Sequence, residues 1–153
     1  SAHKALLIDL MELKPLHSKA VSLKLEGKVY AQKKAHVIEP GSTLIADFVV
    51  PATTRQAELF IQHGPGGSGV SCFMTMKIGG HILGSRYSPP RSTTGRLRME
   101  KWNLTQDLAS WKTRKDGMKT VQLLIHNNAK LGSSDPYRIS SVELYYRAIV
   151  PRK

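Results

Sequence analysis

The stretch L-R-M-E-K-W-N-L-T-Q-D-L-A-S-W-K-T-R-K-D-G-M-K-T-V-Q-L-L, Leu97 to Leu124, carries the clearest structural pattern in the chain. Leu97, Met99 and Lys101 alternate with Arg98, Glu100 and Trp102, the period of a strand with two unlike faces. Thr105 suits the N-cap of one helical turn through Leu108 and Trp111. Asp116-Gly117 signals a turn, because glycine accepts positive φ at little cost. Met118 to Ile125 then reads as a half-buried return strand. Strand, helical turn, tight turn and strand make the corner of a β-sandwich.

The same grammar extends in both directions. Lys4 to Leu13 reads as a first strand or a short amphipathic helix, ended by Pro15 in either case. Ala20 to Leu25 alternates Val21, Leu23 and Leu25 with Ser22, Lys24 and Glu26. After a turn at Glu26-Gly27, Val29 to Val37 continues as a strand whose pattern breaks at Lys33-Lys34. Pro40-Gly41 turns into a strand over Leu44 to Val50, closed by Pro51, and Ala57 to His63 alternates as a core strand. Gly64 to Gly69 is a loop, Val70 to Ile78 a strand, Gly79-Gly80 a hairpin turn, and His81 to Gly84 opens the next strand. Ser85–Gly95 and Asn127–Pro136 read as two long polar loops. Tyr137 to Val150 closes the chain, with Ile139, Val142, Leu144 and Tyr146 toward the core. Short strands every ~8–12 residues predict an all-β, single-domain antiparallel sandwich over residues 1–153.

Composition agrees. The 153 residues, 41% hydrophobic and 22% charged, can bury a sizeable core, and Gly 12 and Pro 8 are spread along them, favouring many turns over long helices. One cysteine, Cys72, excludes an internal disulfide and reads as a buried thiol. No apolar run approaches the ~18 residues of a membrane span. Asp9 and Glu12 interrupt Ala5–Leu13, so it does not read as a signal peptide.

From Ser42 onward the order of motifs resembles the galactose-binding-domain-like jelly-roll modules, common as carbohydrate-binding modules. The matching pieces are F-V-V-P (Phe48–Pro51), A-E-L-F-I (Ala57–Ile61) and M-K-I-G-G-H-I-L (Met76–Leu83). W-N-L-T-Q-D-L (Trp102–Leu108), D-G-M-K-T-V-Q-L-L-I (Asp116–Ile125) and Y-R-I-S-S-V-E-L-Y-Y (Tyr137–Tyr146) follow. Residues 42–150 carry the match, and residues 1–40 do not. The resemblance implies a jelly-roll, lectin-like binding role and a secreted or cell-surface setting, without naming a ligand.

The net charge of +12, from 23 Lys and Arg against 11 Asp and Glu, favours an anionic partner: an acidic polysaccharide or other glycan, nucleic acid, or an anionic membrane face. Between Arg86 and Lys119 lie Arg86, Arg91, Arg96, Arg98, Lys101, Lys112, Arg114, Lys115 and Lys119. If the Ser85–Gly95 loop and the Lys112–Lys115 turn share one end of the sandwich, they form an anion-binding rim. Tyr87 and Trp111 would supply rings to stack on a sugar, and Asn127, Asn128 and Tyr137 would supply groups for its hydroxyls. The bland alternatives are a solvated basic face, two rings that close the sandwich corner, and asparagines that serve turns.

Catalysis finds little support. There is no G-x-S-x-G or phosphate loop, and Asp47, Glu58 and Glu143 are acid/base candidates only by elimination. His63, His81 and His126 fall at strand ends without metal-ligand spacing. Calcium is structural in many related modules, but no dense acidic run is present, so no cofactor is expected. The leading expectation is therefore a non-catalytic carbohydrate-binding module favouring acidic glycans. The alternatives are a nucleic-acid-binding or capsid-type jelly roll, and an assembly subunit that binds protein partners.

Overall fold

A computed structural model of the protein describes residues 10–66, 71–92, 94–128 and 135–153. They form two six-stranded antiparallel sheets. In one, β3 (Val29–Gln32), β4 (Ala35–Ile38), β12 (Tyr137–Pro151), β6 (Thr54–Pro65) and β9 (Arg98–Asn103) follow in that order. β1 (Met11–Lys19) shares a side of β12 with β4, pairing with Glu143–Pro151 while β4 takes Tyr137–Ile139. In the other sheet the order is β2 (Ser22–Glu26), β5 (Thr43–Val50), β11 (Lys119–Asn127), β7 (Met74–Ile78) and β8 (His81–Tyr87). The two-residue strand β10 (Lys112–Thr113) lies on one end of β11.

The alternation seen in the sequence is the packing itself. Leu44, Ala46, Phe48 and Val50 of β5, with Val121, Leu123 and Ile125 of β11, face Ile38, Leu59, Ile61 and Leu144 of the other sheet. A slip of one residue would invert every one of these faces. Each large side chain so buried contributes about 1.5–3 kcal/mol, which fixes the register. β12 changes phase, with Tyr137 and Ile139 facing in and then Leu144 and Ala148. A bulge between Ile139 and Ser141, opposite His63 and Gln62, inserts the residue that shifts the face.

Several expected boundaries move. Pro15 does not end the first element: β1 runs through it, with Pro15 opposite Arg147. β1 pairs with β12 alone, and an edge strand tolerates a residue without an N–H. Val29–Val37 is a hairpin rather than one strand, and Lys33 at its turn has φ 56°. β8 continues through Tyr87, three residues into the expected loop, and β6 absorbs Gly64 and Pro65. The segment Thr105–Ser110 is a 3-10 helix, but Thr105 does not cap it. Its N–H instead donates to Asn103 Oδ1, and its hydroxyl accepts from the Ala57 N–H. Gly67–Gly69 of the glycine loop, Val70, and residues 129–134 of the second loop lie outside the described residues. Among the described residues no helix is long and apolar enough to cross a membrane.

Candidate functional site

The register fixes which basic residues share an end. Tyr87 pairs with Met74, Met74 with Asn127, and His63 with Arg98, so these lie at one end of the sandwich. Lys112 pairs with Thr120, and Lys119 with Val50, at the other. β11 connects the two ends, and eight residue steps of strand span about 27 Å. The expected single rim is therefore split: Arg86, Tyr87, Arg91, Asn127, Asn128 and Tyr137 belong to one pole, and Trp111, Lys112 and Arg114 to the other.

At the first pole much of the anticipated site is interior. Tyr137 is fully buried, and its hydroxyl sits 2.6 Å from His63 Nδ1. Asn127 is also fully buried, its amide donating to the Ile38 and Asp135 carbonyls. Asn128 accepts from the Thr75 hydroxyl and donates to the Ser85 carbonyl. Tyr87 is half-buried, its ring stacked 6.1 Å from His63 and edge-on to Trp102 at 5.9 Å. These side chains hold the sandwich end together instead of projecting from it. The physical reason is the strand through Tyr87, which turns that ring inward beside Met74. Arg86 does project, its guanidinium 5.1 Å from the Phe73 ring centre. Arg91 is exposed, and its carbonyl receives an Nη1–H of Arg98.

Behind that end lies a constellation with no motif in the sequence. His63, fully buried, bridges Tyr137 and Glu100, with Nε2 2.7 Å from Glu100 Oε1. Burial pushes His63 down to about 4 and Glu100 up. The neutral imidazole then accepts the Tyr137 proton at Nδ1 and donates from Nε2. The one clue in the sequence is that Glu100 shares a strand face with Trp102, an acid on a face that packs inward. His81 sits 3.5 Å from Asp107 and His126 bonds Thr43, so the three strand-end histidines do not converge. Among the described residues no cluster suited to a metal ion occurs.

At the second pole the outer face of β5, β11 and β7 forms a groove of about 440 Å³, walled by Gly79, Gly80, Trp111 and Lys112. Strand alternation supplies its floor: Asp47, Thr120, Gln122, Leu124 and Lys77 all point away from the core. Asp47 is held at both oxygens, by the Ser22 hydroxyl at 2.6 Å and the Gln122 amide at 3.1 Å. Lys77 and Lys112 are exposed and enter no ion pair among the described residues. Arg114, by contrast, lies outside the groove lining and is engaged by Asp116 at 3.2 Å. Trp111 is 5% exposed, and its indole N–H is the one buried side-chain donor without a partner among the described residues. Gly79, at φ 56°, lets the hairpin pass over it: a Cβ there would lie 3.3 Å from Val121 Cγ2 and 3.9 Å from Trp111 Cδ1. The groove presents two ammonium ions, a carboxylate and a carboxamide to whatever small polar ligand enters it.

No family model and no curated protein matches the sequence. Solved structures do match. A family 35 carbohydrate-binding module from Clostridium thermocellum aligns with 86% of this chain and 97% of its own, at TM-score 0.50 and 10% identity. A family 35 module from an environmental isolate aligns with 90% of this chain and 97% of its own, also at TM-score 0.50 and 10% identity. The chain has the jelly-roll β-sandwich fold of these modules. The likeness read from the sequence motifs is thus borne out as one of fold.

Proposed function

We propose that the protein is a non-catalytic carbohydrate-binding module that takes acidic glycans in the groove beside Trp111. The observation that carries the reading is the pair Lys77 and Lys112, two ammonium ions without an ion-pair partner among the described residues, in a groove whose single carboxylate, Asp47, is already bonded at both oxygens. An added carboxylate or sulfate meets attraction there, and charge-assisted hydrogen bonds are about twice as strong as neutral ones. Gln122 both donates and accepts, as sugar hydroxyls do. The fold's likeness to carbohydrate-binding modules supports the same reading. With one carboxylate in the groove, the acid/base pair of a glycosidase has no second member there.

The test is affinity electrophoresis and calorimetry against polygalacturonate, alginate and heparin, with neutral glucan and mannan and duplex DNA alongside, over a salt series. Retardation by at least one acidic polysaccharide, weakened by salt and by Lys112→Ala, supports the proposal. Indifference to all three acidic polymers overturns it. Binding of DNA alone, with a steep salt slope, would instead favour the nucleic-acid reading.

A further inference from the structure

The outer face of the other sheet carries a row of rings that the groove leaves unused. His17 of β1 stands opposite Tyr145 of β12, and Phe60 of β6 opposite Glu143. The His17 and Tyr145 ring centres are 4.6 Å apart at 30°, and those of Phe60 and Tyr145 4.8 Å apart at 68°. Tyr145 nevertheless remains 43% exposed. It is fixed as well as exposed: its hydroxyl donates to Glu143 Oε2 at 3.3 Å, and His17 Nε2 lies 3.3 Å from the same oxygen. Beside it is a depression of about 250 Å³ lined by Gln56, Glu58, Phe60, Tyr145, Tyr146 and Arg147.

We propose that this depression is a second sugar site, one that takes a single pyranose ring of a neutral glycan stacked on Tyr145. A ring already fixed by His17, Phe60 and Glu143 loses little freedom when a ligand settles on its exposed surface. The volume lies below the roughly 300–1,000 Å³ of drug-sized sites, which suits one sugar ring. Gln56, Glu58 and Arg147 provide an amide, a carboxylate and a guanidinium for hydroxyls around an apolar ring face. Neutrality of the ligand follows from local charge. In a chain of net charge +12, the two acids here, Glu58 and Glu143, are equalled in number by Lys101, 3.4 Å from Glu58, and Arg147. The face neither attracts a polyanion strongly nor offers the continuous apolar area of a subunit interface, since Glu58, Lys101 and Arg147 interrupt it. The site goes beyond the groove reading and does not require it.

The experiment is amide chemical-shift mapping of the isotope-labelled protein titrated with cellohexaose, mannohexaose, xylohexaose and β-1,4-galactotetraose, and separately with trigalacturonate. At least one neutral oligosaccharide is expected to shift the amides of Gln56–Phe60 and Tyr145–Arg147 saturably. Tyr145→Ala is expected to weaken that binding by about tenfold, the scale of one lost stacking contact, whereas Tyr145→Phe, which keeps the ring, retains it. No shift on this face with any of the four neutral probes overturns the proposal. So do shifts undiminished in Tyr145→Ala, and so do concentration-dependent shifts without sugar, which would mark a self-association face. Trigalacturonate reports on the groove through Lys77 and Gln122, so failure of either site is read independently of the other.

Discussion

His63 and Glu100 are joined at the interior edge of the sandwich, Nε2 lying 2.7 Å from Oε1, on adjacent strands β6 and β9. The imidazole is fully buried, while the carboxylate side chain keeps 27% exposure. Burial disfavours the charged form of each, lowering His63 to about 4 and raising Glu100. For His63 the unfolded chain binds the proton more readily, so its stabilising effect is complete above pH 6.5 and is lost as pH falls toward about 4. Glu100 works the other way. Between its ordinary value of 4.5 and its raised folded value the native state holds the extra proton, and stability falls as pH rises through that window. His63 carries the larger shift, so the net effect is loss of stability in acid, at most about 3 kcal/mol at 1.36 kcal/mol per unit. Urea midpoints between pH 7.5 and 4 measure it. His63→Gln, which takes no proton in this range, should flatten the profile; an equally steep profile in that variant would refute the assignment.

Tyr137→Phe tests the other end of the same relay. The phenol ring stays and its packing with it, but His63 Nδ1 loses the hydroxyl 2.6 Å away and is left as a buried acceptor. The expected cost is about 1–3 kcal/mol, read as a fall in the urea midpoint at unchanged slope. Asn127→Ala should cost a similar amount, because the Ile38 and Asp135 carbonyls lose a shared donor.

Much of this architecture could be read from alternation, because a half-buried strand writes its two faces into the chain. β5, β6, β11 and β12 fell where Leu44–Val50, Ala57–His63, Met118–Ile125 and Tyr137–Val150 alternate, and the turns at Gly27, Gly41, Gly79 and Gly117 all have positive φ. Lys112 lies in the groove lining, whereas Trp111, expected to offer a ring face to a sugar, is buried in its wall. What could not be read was which strand ends meet. Arg86 and Lys112 are close in sequence, yet β9 lies in the opposite sheet and the chain crosses between the poles before reaching β10. Alternation assigns a face to each residue but not an end. The same limit hid Lys77, Gln122 and Asp47, which share a floor only through the order β5-β11-β7.

Gly79 is a point where backbone conformation and groove shape are one requirement. Its φ of 56° suits glycine, and a methyl group would press on Val121 at 3.3 Å. Gly79→Ala should destabilise the protein by about 1 kcal/mol or more. By shifting the Gly79-Gly80 hairpin it should also weaken glycan binding beyond what the stability loss explains. Gly80→Ala, where no atom lies within 4 Å of the added carbon, serves as the control and should leave stability nearly unchanged. Thermal melts and calorimetry on the two variants separate these outcomes.

Lys77 and Lys112 approach the groove from different elements, β7 and β10, and neither is engaged by a carboxylate among the described residues. Lys112→Ala should therefore cost little stability, since an exposed ammonium without an ion-pair partner contributes almost nothing to folding. Its effect should fall on binding, by about tenfold for an acidic oligosaccharide at low salt, the scale of one charge-assisted hydrogen bond. Because the lost attraction is electrostatic, the gap between variant and parent should narrow as salt rises and the Debye length shrinks. Lys77→Ala should act in the same direction. If one anionic group bridges both ammonium ions, the double variant should lose less than the sum of the singles, the signature of a shared partner. Calorimetric titration with trigalacturonate at two ionic strengths provides the full cycle. Strict additivity would place the two lysines on separate parts of the ligand.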